Sequence, residues 1–136
     1  MLPISLPKAA GLALAASLLV AAPSHASGGI WCEGDGGTSV EIASGRLPVL
    51  QVLGAHVEAA GVAYTTGPER GEGEPFVVGQ AFWGDDAIMV DFVDPNFEAI
   101  VVSLRARLEG NREAEWPYVG TVTLRDVSYS VHCGAE

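Results

Sequence analysis

The chain has 136 residues, 49% of them hydrophobic, and its 17 acidic side chains against seven basic ones give a formal charge of −10. So acidic a chain lacks the clustered positive charge that nucleic acids and anionic membrane surfaces reward, which argues against both as partners. A basic protein partner remains compatible with it.

Residues 1–26 are laid out as an export signal. Lys8 supplies the positive n-region, an apolar run covers residues 9–22, Pro23 ends it, and Ser24-His25-Ala26 places small residues ahead of a cut before Ser27. The run falls short of the roughly 20 residues a membrane-spanning helix needs. Cys32 does not directly follow that run but comes after Gly28-Gly29-Ile30-Trp31, which speaks against a lipid anchor. The expected product is a single domain over residues 27–136, periplasmic or secreted, with no membrane span once the signal is cleaved. Its only lysine leaves with the signal, so six arginines face 17 acids for a charge of −11.

Strand patterns with glycine-rich punctuation fill the rest. Residues 30–33 and 38–43 flank Gly34-Asp35-Gly36-Gly37 as an opening hairpin, and residues 44–48 make the next break. Residues 49–65 are ambiguous. Val49, Val52, Leu53, Val57 and Ala60 sit at helical spacing after Pro48, whereas Gly54, Gly61 and the β-branched valines favour strands at 55–59 and 62–66 around an Ala60-Gly61 turn. The strand reading is preferred. Residues 66–75 (TGPERGEGEP) read as a polar loop, expected to be the most mobile segment. Residues 76–83 and 87–93 form a hairpin about Gly84-Asp85-Asp86. Residues 99–109 alternate strictly, with Ile100, Val102, Leu104, Ala106 and Leu108 on one face, as in a strand with one buried and one wet side. Residues 118–124 and 127–133 flank an Arg125-Asp126 turn. About eight short strands predict an all-β fold, a single antiparallel barrel or sandwich.

Export and an even cysteine count predict a Cys32–Cys133 disulfide. That bond would bring the first and last strands within about 6 Å. Cys133 shares the apolar face of the last strand with Val127, Tyr129 and Val131, so the bridge is expected inside the fold.

Groups for chemistry are sparse. His56 and His132 lack a nucleophile elbow or a metal-ligand partner at helical spacing, so no catalytic set and no cofactor are implied. Asp85, Asp86, Asp91, Asp94 and Asn96 lie within twelve residues and offer oxygen ligands for a hard cation. Asp91, Asp94 and Asn96 are the metal candidates, and a small metal-dependent hydrolase is the corresponding enzyme reading. Turn chemistry explains most of the same residues. Trp31, Trp83 and Trp116 are packing residues or recognition aromatics, with Trp83, beside a turn, the best binding candidate. Arg105 and Arg107 could clamp a carboxylate, or pair across strands with acidic neighbours.

The stretch Phe82-Trp83-Gly84-Asp85-Asp86-Ala87 resembles the FW-x-K-G-D-x-A segment of periplasmic inhibitors of C-type lysozyme, small exported β-barrels with a disulfide that bind a basic enzyme. That family's S-G-x-x-Y loop has no counterpart here, and the lysine of the matching stretch is absent. No inhibitory residue carries over. In its layout from signal to terminal cysteine, with Val78-Gly79-Gln80-Ala81-Phe82-Trp83 between, the chain is also similar to small secreted proteins of proteobacteria. The sequence therefore predicts a non-enzymatic secreted binding or envelope-accessory module, with inhibition of a basic cell-wall hydrolase as one form of that role.

Overall fold

The structure, a computed structural model, describes Pro3, residues 27–45 and residues 48–136. The rest of the expected export signal lies outside the described residues, as do residues 46–47 of the expected break. Ten strands follow in chain order: β1 (Ser27–Gly34), β2 (Thr38–Gly45), β3 (Val52–Ala59), β4 (Val62–Thr65), β5 (Glu74–Pro75), β6 (Val77–Trp83), β7 (Ala87–Val93), β8 (Ile100–Leu108), β9 (Tyr118–Leu124) and β10 (Val127–Ala135). A 3-10 turn at Asp35–Gly37 joins β1 to β2, and no helix among the described residues is long and apolar enough to cross a membrane.

All ten strands belong to one sheet, ordered β5-β4-β3-β2-β1-β10-β9-β8-β7-β6. The two outermost strands, β5 and β6, are separated only by Phe76. They form one extended run that pairs with β4 at its start and with β7 along the rest, so the sheet curls into a nearly closed barrel. Counted this way, nine strands lie around the ring. A ring with an odd number of strands cannot alternate direction throughout, so one neighbouring pair must be parallel. That pair is β4 and β5, where Tyr64 faces Glu74 and Thr65 faces Pro75.

Two sequence expectations are thereby corrected. There are ten strands rather than about eight, and the sheet is mixed rather than antiparallel. The expected polar loop ends in the two-residue β5, whose Glu and Pro are too few to show alternation. The loop is also anchored. Thr65 Oγ1 donates to the Gly67 carbonyl at 2.7 Å, Arg70 N to the same carbonyl at 3.0 Å, and His56 Nε2 lies 2.9 Å from the Glu72 carbonyl.

The ambiguous stretch is a hairpin. Ala60 and Gly61 have φ of 50° and 80°, the pair of left-handed residues that a two-residue hairpin turn requires. β2 and β3 pair through Val40↔Val57 and Ile42↔Ala55.

Alternation decides what lies inside. Ile30 and Cys32, Val40 and Ile42, Val57, Ile88, Val90 and Phe92, Val102 and Leu104, Val122 and Cys133 are all at most 2% exposed. Where backbone pairing is thinnest, side chains take over. Phe76 stacks between Tyr64 of β4 and Phe92 of β7, with ring centroids at 5.7 and 4.1 Å, and its N–H bonds the Thr65 carbonyl at 3.1 Å. Each such aromatic pair adds about 0.5–1.5 kcal/mol beyond the area it buries. Opposite this seam, β1 and β10 pair in register, and Cys32 and Cys133 face each other across them in a disulfide with Cα atoms 4.1 Å apart. The bond lies inside the barrel, and such a bond indicates an oxidising, non-cytoplasmic environment.

Candidate functional site

Glycines inside strands allow neighbouring backbones to approach. One row of residues across the sheet is small at three of its four positions: Gly34 of β1, Val131 of β10, Gly120 of β9 and Ala106 of β8 are successive partners in register. A Cβ at Gly34 would overlap the Ser130 carbonyl, and one at Gly120 would overlap the Arg105 carbonyl. Above this row, on the outer face, lies a groove of about 1040 Å³.

The groove's two long walls are the outward residues on either side of the row. Arg107, Val119, His132 and Glu33 are successive partners along one wall. Arg105, Thr121 and Ser130 run along the other, with Asp35 beyond them in the 3-10 turn. The charges are therefore ordered. Both arginines flank Ala106 at one end, and both carboxylates flank Gly34 at the other. His132 is braced from outside by the Trp116 ring, edge-on at 4.6 Å.

The two arginines differ in state. Asp91 points outward from β7 yet is only 1% exposed, because the row Gln80↔Asp91↔Ser103 and the Arg105 side chain cover it. Arg105 donates to both Asp91 oxygens, at 2.8 and 3.0 Å, and Ser103 Oγ and Gln80 Nε2 donate one further bond each. The Arg105 hydrogen bonds hold the Asp91 carboxyl down against the opposing effect of burial. With help from Gln80, Ser103 and the Arg105 charge, they lower its pKa to about 2. Arg105 is thus neutralised and fixed, with its Nη1 also on the Leu104 carbonyl at 2.9 Å. Three of its five N–H donors are used, which leaves two for a ligand. Arg107 is exposed and has no ion pair or side-chain hydrogen bond among the described residues.

Of the binding residues expected from sequence, the structure brings Arg105 and Arg107 together on the groove and leaves Trp83 out of it. Trp83 packs partly buried against the core, and its indole N–H donates to the Tyr118 hydroxyl at 3.2 Å. Trp31 lies over Gly134, its cross-strand partner.

The metal candidates are not assembled. Four hydrogen bonds occupy the acceptor positions of Asp91. Asp94 folds its own loop, accepting from the backbone N–H of Asn96 at 2.8 Å, Glu98 at 3.0 Å and Ala99 at 2.6 Å. Those bonds lower its pKa in spite of an opposing desolvation. Asn96 is exposed and contributes its amide to that turn, while Asp85 and Asp86 lie exposed at the far end of β7. Among the described residues no three His, Cys, Asp or Glu side chains gather as they would around a metal ion.

Sequence reasoning missed the acidic end of the groove and its glycine floor. The available signal was Gly120, an isolated glycine in an otherwise regular strand, which marks a close backbone approach. Comparison with protein-family models, with curated proteins and with solved structures gave no match.

Proposed function

We propose that this protein is a non-enzymatic binding module of the periplasm or the extracellular space, and that the outer-face groove is its recognition surface. The observation that carries this reading is the groove's charge order. A free arginine and a pre-oriented one stand at one end, facing two carboxylates across a glycine floor. Such a surface can orient a dipolar ligand, and its imidazole, His132, has no carboxylate or hydroxyl hydrogen-bond partner among the described residues, so no histidine-activated nucleophile is assembled in it. The export signal and the disulfide support the compartment.

The test is affinity capture from a periplasmic extract and culture fluid, using the oxidised protein beside a Ser130→Trp variant that fills the groove. A species retained by the wild type and lost with the variant is expected. If every retained species is common to both, the groove is not the recognition surface.

A second reading, inhibition of a basic cell-wall hydrolase, draws on the β6–β7 hairpin. There Phe82 stands 51% exposed beside the exposed Asp85 and Asp86, on a strongly acidic protein. Lysis by C-type lysozyme should fall at stoichiometric protein; unchanged lysis in excess ends that reading.

A further inference from the structure

The geometry points to a specific ligand class for this groove: a short extended peptide of three to four residues with both termini free. Its carboxylate would lie against Arg107 and its ammonium against Glu33 and Asp35. This inference rests on the groove being the recognition surface.

Net charge narrows the ligand first. The Arg105 charge is cancelled by Asp91 beneath it, so the groove presents Arg107 at one end and two carboxylates at the other. A simple anion would gain one arginine and be opposed by Glu33, Asp35 and the acidic chain as a whole. A simple cation would leave Arg107 unmet. A dipolar ligand satisfies both ends, provided that its charges are far enough apart.

Spacing sets that distance. Arg107, Val119, His132 and Glu33 occupy four neighbouring strands. Three interstrand steps of about 4.8 Å separate the end Cα atoms by about 14 Å. Arg107 and Glu33 do not form an ion pair with each other. An extended chain covers about 3.3–3.6 Å per residue, so three to four residues bridge the charged ends. A single amino acid is too short to do so. Between the ends, Val119, 38% exposed, offers an apolar contact, and the Thr121 and Ser130 hydroxyls face the backbone amides of such a peptide. The two unused N–H donors of Arg105 can join Arg107 on the carboxylate, and the Asp91 bridge holds that guanidinium in place beforehand.

Equilibrium dialysis of the oxidised protein against a randomised tetrapeptide pool tests this. The pool is used in free, N-acetylated and C-amidated forms, and the retained peptide is measured by mass spectrometry. Free tetrapeptides are expected to be retained, and blocking either end should weaken retention at least about tenfold, the effect of losing one charge-assisted contact. Arg107→Gln should sharply shrink the difference between free and amidated peptides, leaving only what the Arg105 donors contribute, while keeping the effect of acetylation. Glu33→Gln with Asp35→Asn should do the reverse. Equal retention of all three forms would overturn the inference, as would a failure of either variant to shrink its own end's preference. If no tetrapeptide is retained while Ser130→Trp still loses a captured species, the groove stands and the peptide class is wrong. If Ser130→Trp also changes nothing, the underlying functional reading fails as well.

Discussion

Asp91 is a carboxylate on the outer face of a barrel, yet it is as thoroughly enclosed as the core. Its ion pair with Arg105 is asymmetric, with side chains 2% and 45% exposed, so the attraction is not that of a fully exposed surface pair. Folding lowers the Asp91 pKa from 3.8 to about 2, so over that interval the folded chain binds fewer protons than the unfolded one. The stabilisation is fully present above about pH 4 and is lost as pH falls through about 2, amounting to roughly 2 kcal/mol. Asp91→Asn should therefore destabilise the protein by about that much at pH 7. The difference from wild type should shrink toward zero between pH 4 and pH 2, as followed by urea unfolding over a pH series. A difference independent of pH would mean that Asp91 acts through shape rather than charge. The sequence offered carboxylate clamping and cross-strand pairing for the two arginines as a set. In the structure Arg105 takes the pairing, and only Arg107 remains free. Alternation gives Asp91 and Arg105 the same face but cannot say that β6 also contributes Gln80, because that depends on the bulge between Val78 and Gln80.

At the scale of elements, β7 and β9 run over the residues the sequence predicted, β7 by alternation and β9 by the turn that follows it, and β8 differs by a residue at each end. These strands have one buried and one wet face, so the period of two is written into side-chain polarity. β5 was not legible, because two residues carry no period and its partner is set by the parity of the closed ring. The β3–β4 hairpin was legible through its turn, Gly54 and its β-branched valines, against apolar residues at helical spacing. Ala60 holds φ of 50°, a conformation that a Cβ penalises, so Ala60→Gly should stabilise the fold by about 1 kcal/mol in denaturant unfolding. The groove's floor was legible as an odd glycine and nothing more, since its meaning depends on register with Gly34 and Ala106. Gly120→Ala places a Cβ on the Arg105 carbonyl and should destabilise by about 3 kcal/mol. Gly61→Ala meets open space at φ +80° and should cost only about 1 kcal/mol. Equal unfolding midpoints for the two variants would show that the close approach of β9 to β8 is not a constraint.

For the whole molecule, ring closure depends on two dissimilar joints. At β4–β5 the joint is a two-residue parallel pairing supported by the Tyr64–Phe76–Phe92 stack. At β1–β10 it is a continuous antiparallel ladder crossed by the disulfide. The second joint also sets the groove, because Cys32 directly precedes Glu33 and faces Cys133 next to His132. Without the bond, the acidic end of the groove would be held to its other strands by backbone pairing and core packing, with no covalent tie. The bond spans 101 residues of sequence, and in the chain-entropy account a loop of that size stabilises by about 4–5 kcal/mol, an upper bound where the unfolded chain keeps structure. Replacing both cysteines by serine removes the bond without leaving a reactive thiol. Cys32→Ser with Cys133→Ser should lower the unfolding midpoint under oxidising conditions to that of the reduced wild type or below it, because two hydroxyls then replace sulfur in the apolar interior. If the double variant instead unfolds at the oxidised wild-type midpoint, the β1–β10 ladder closes the barrel unaided.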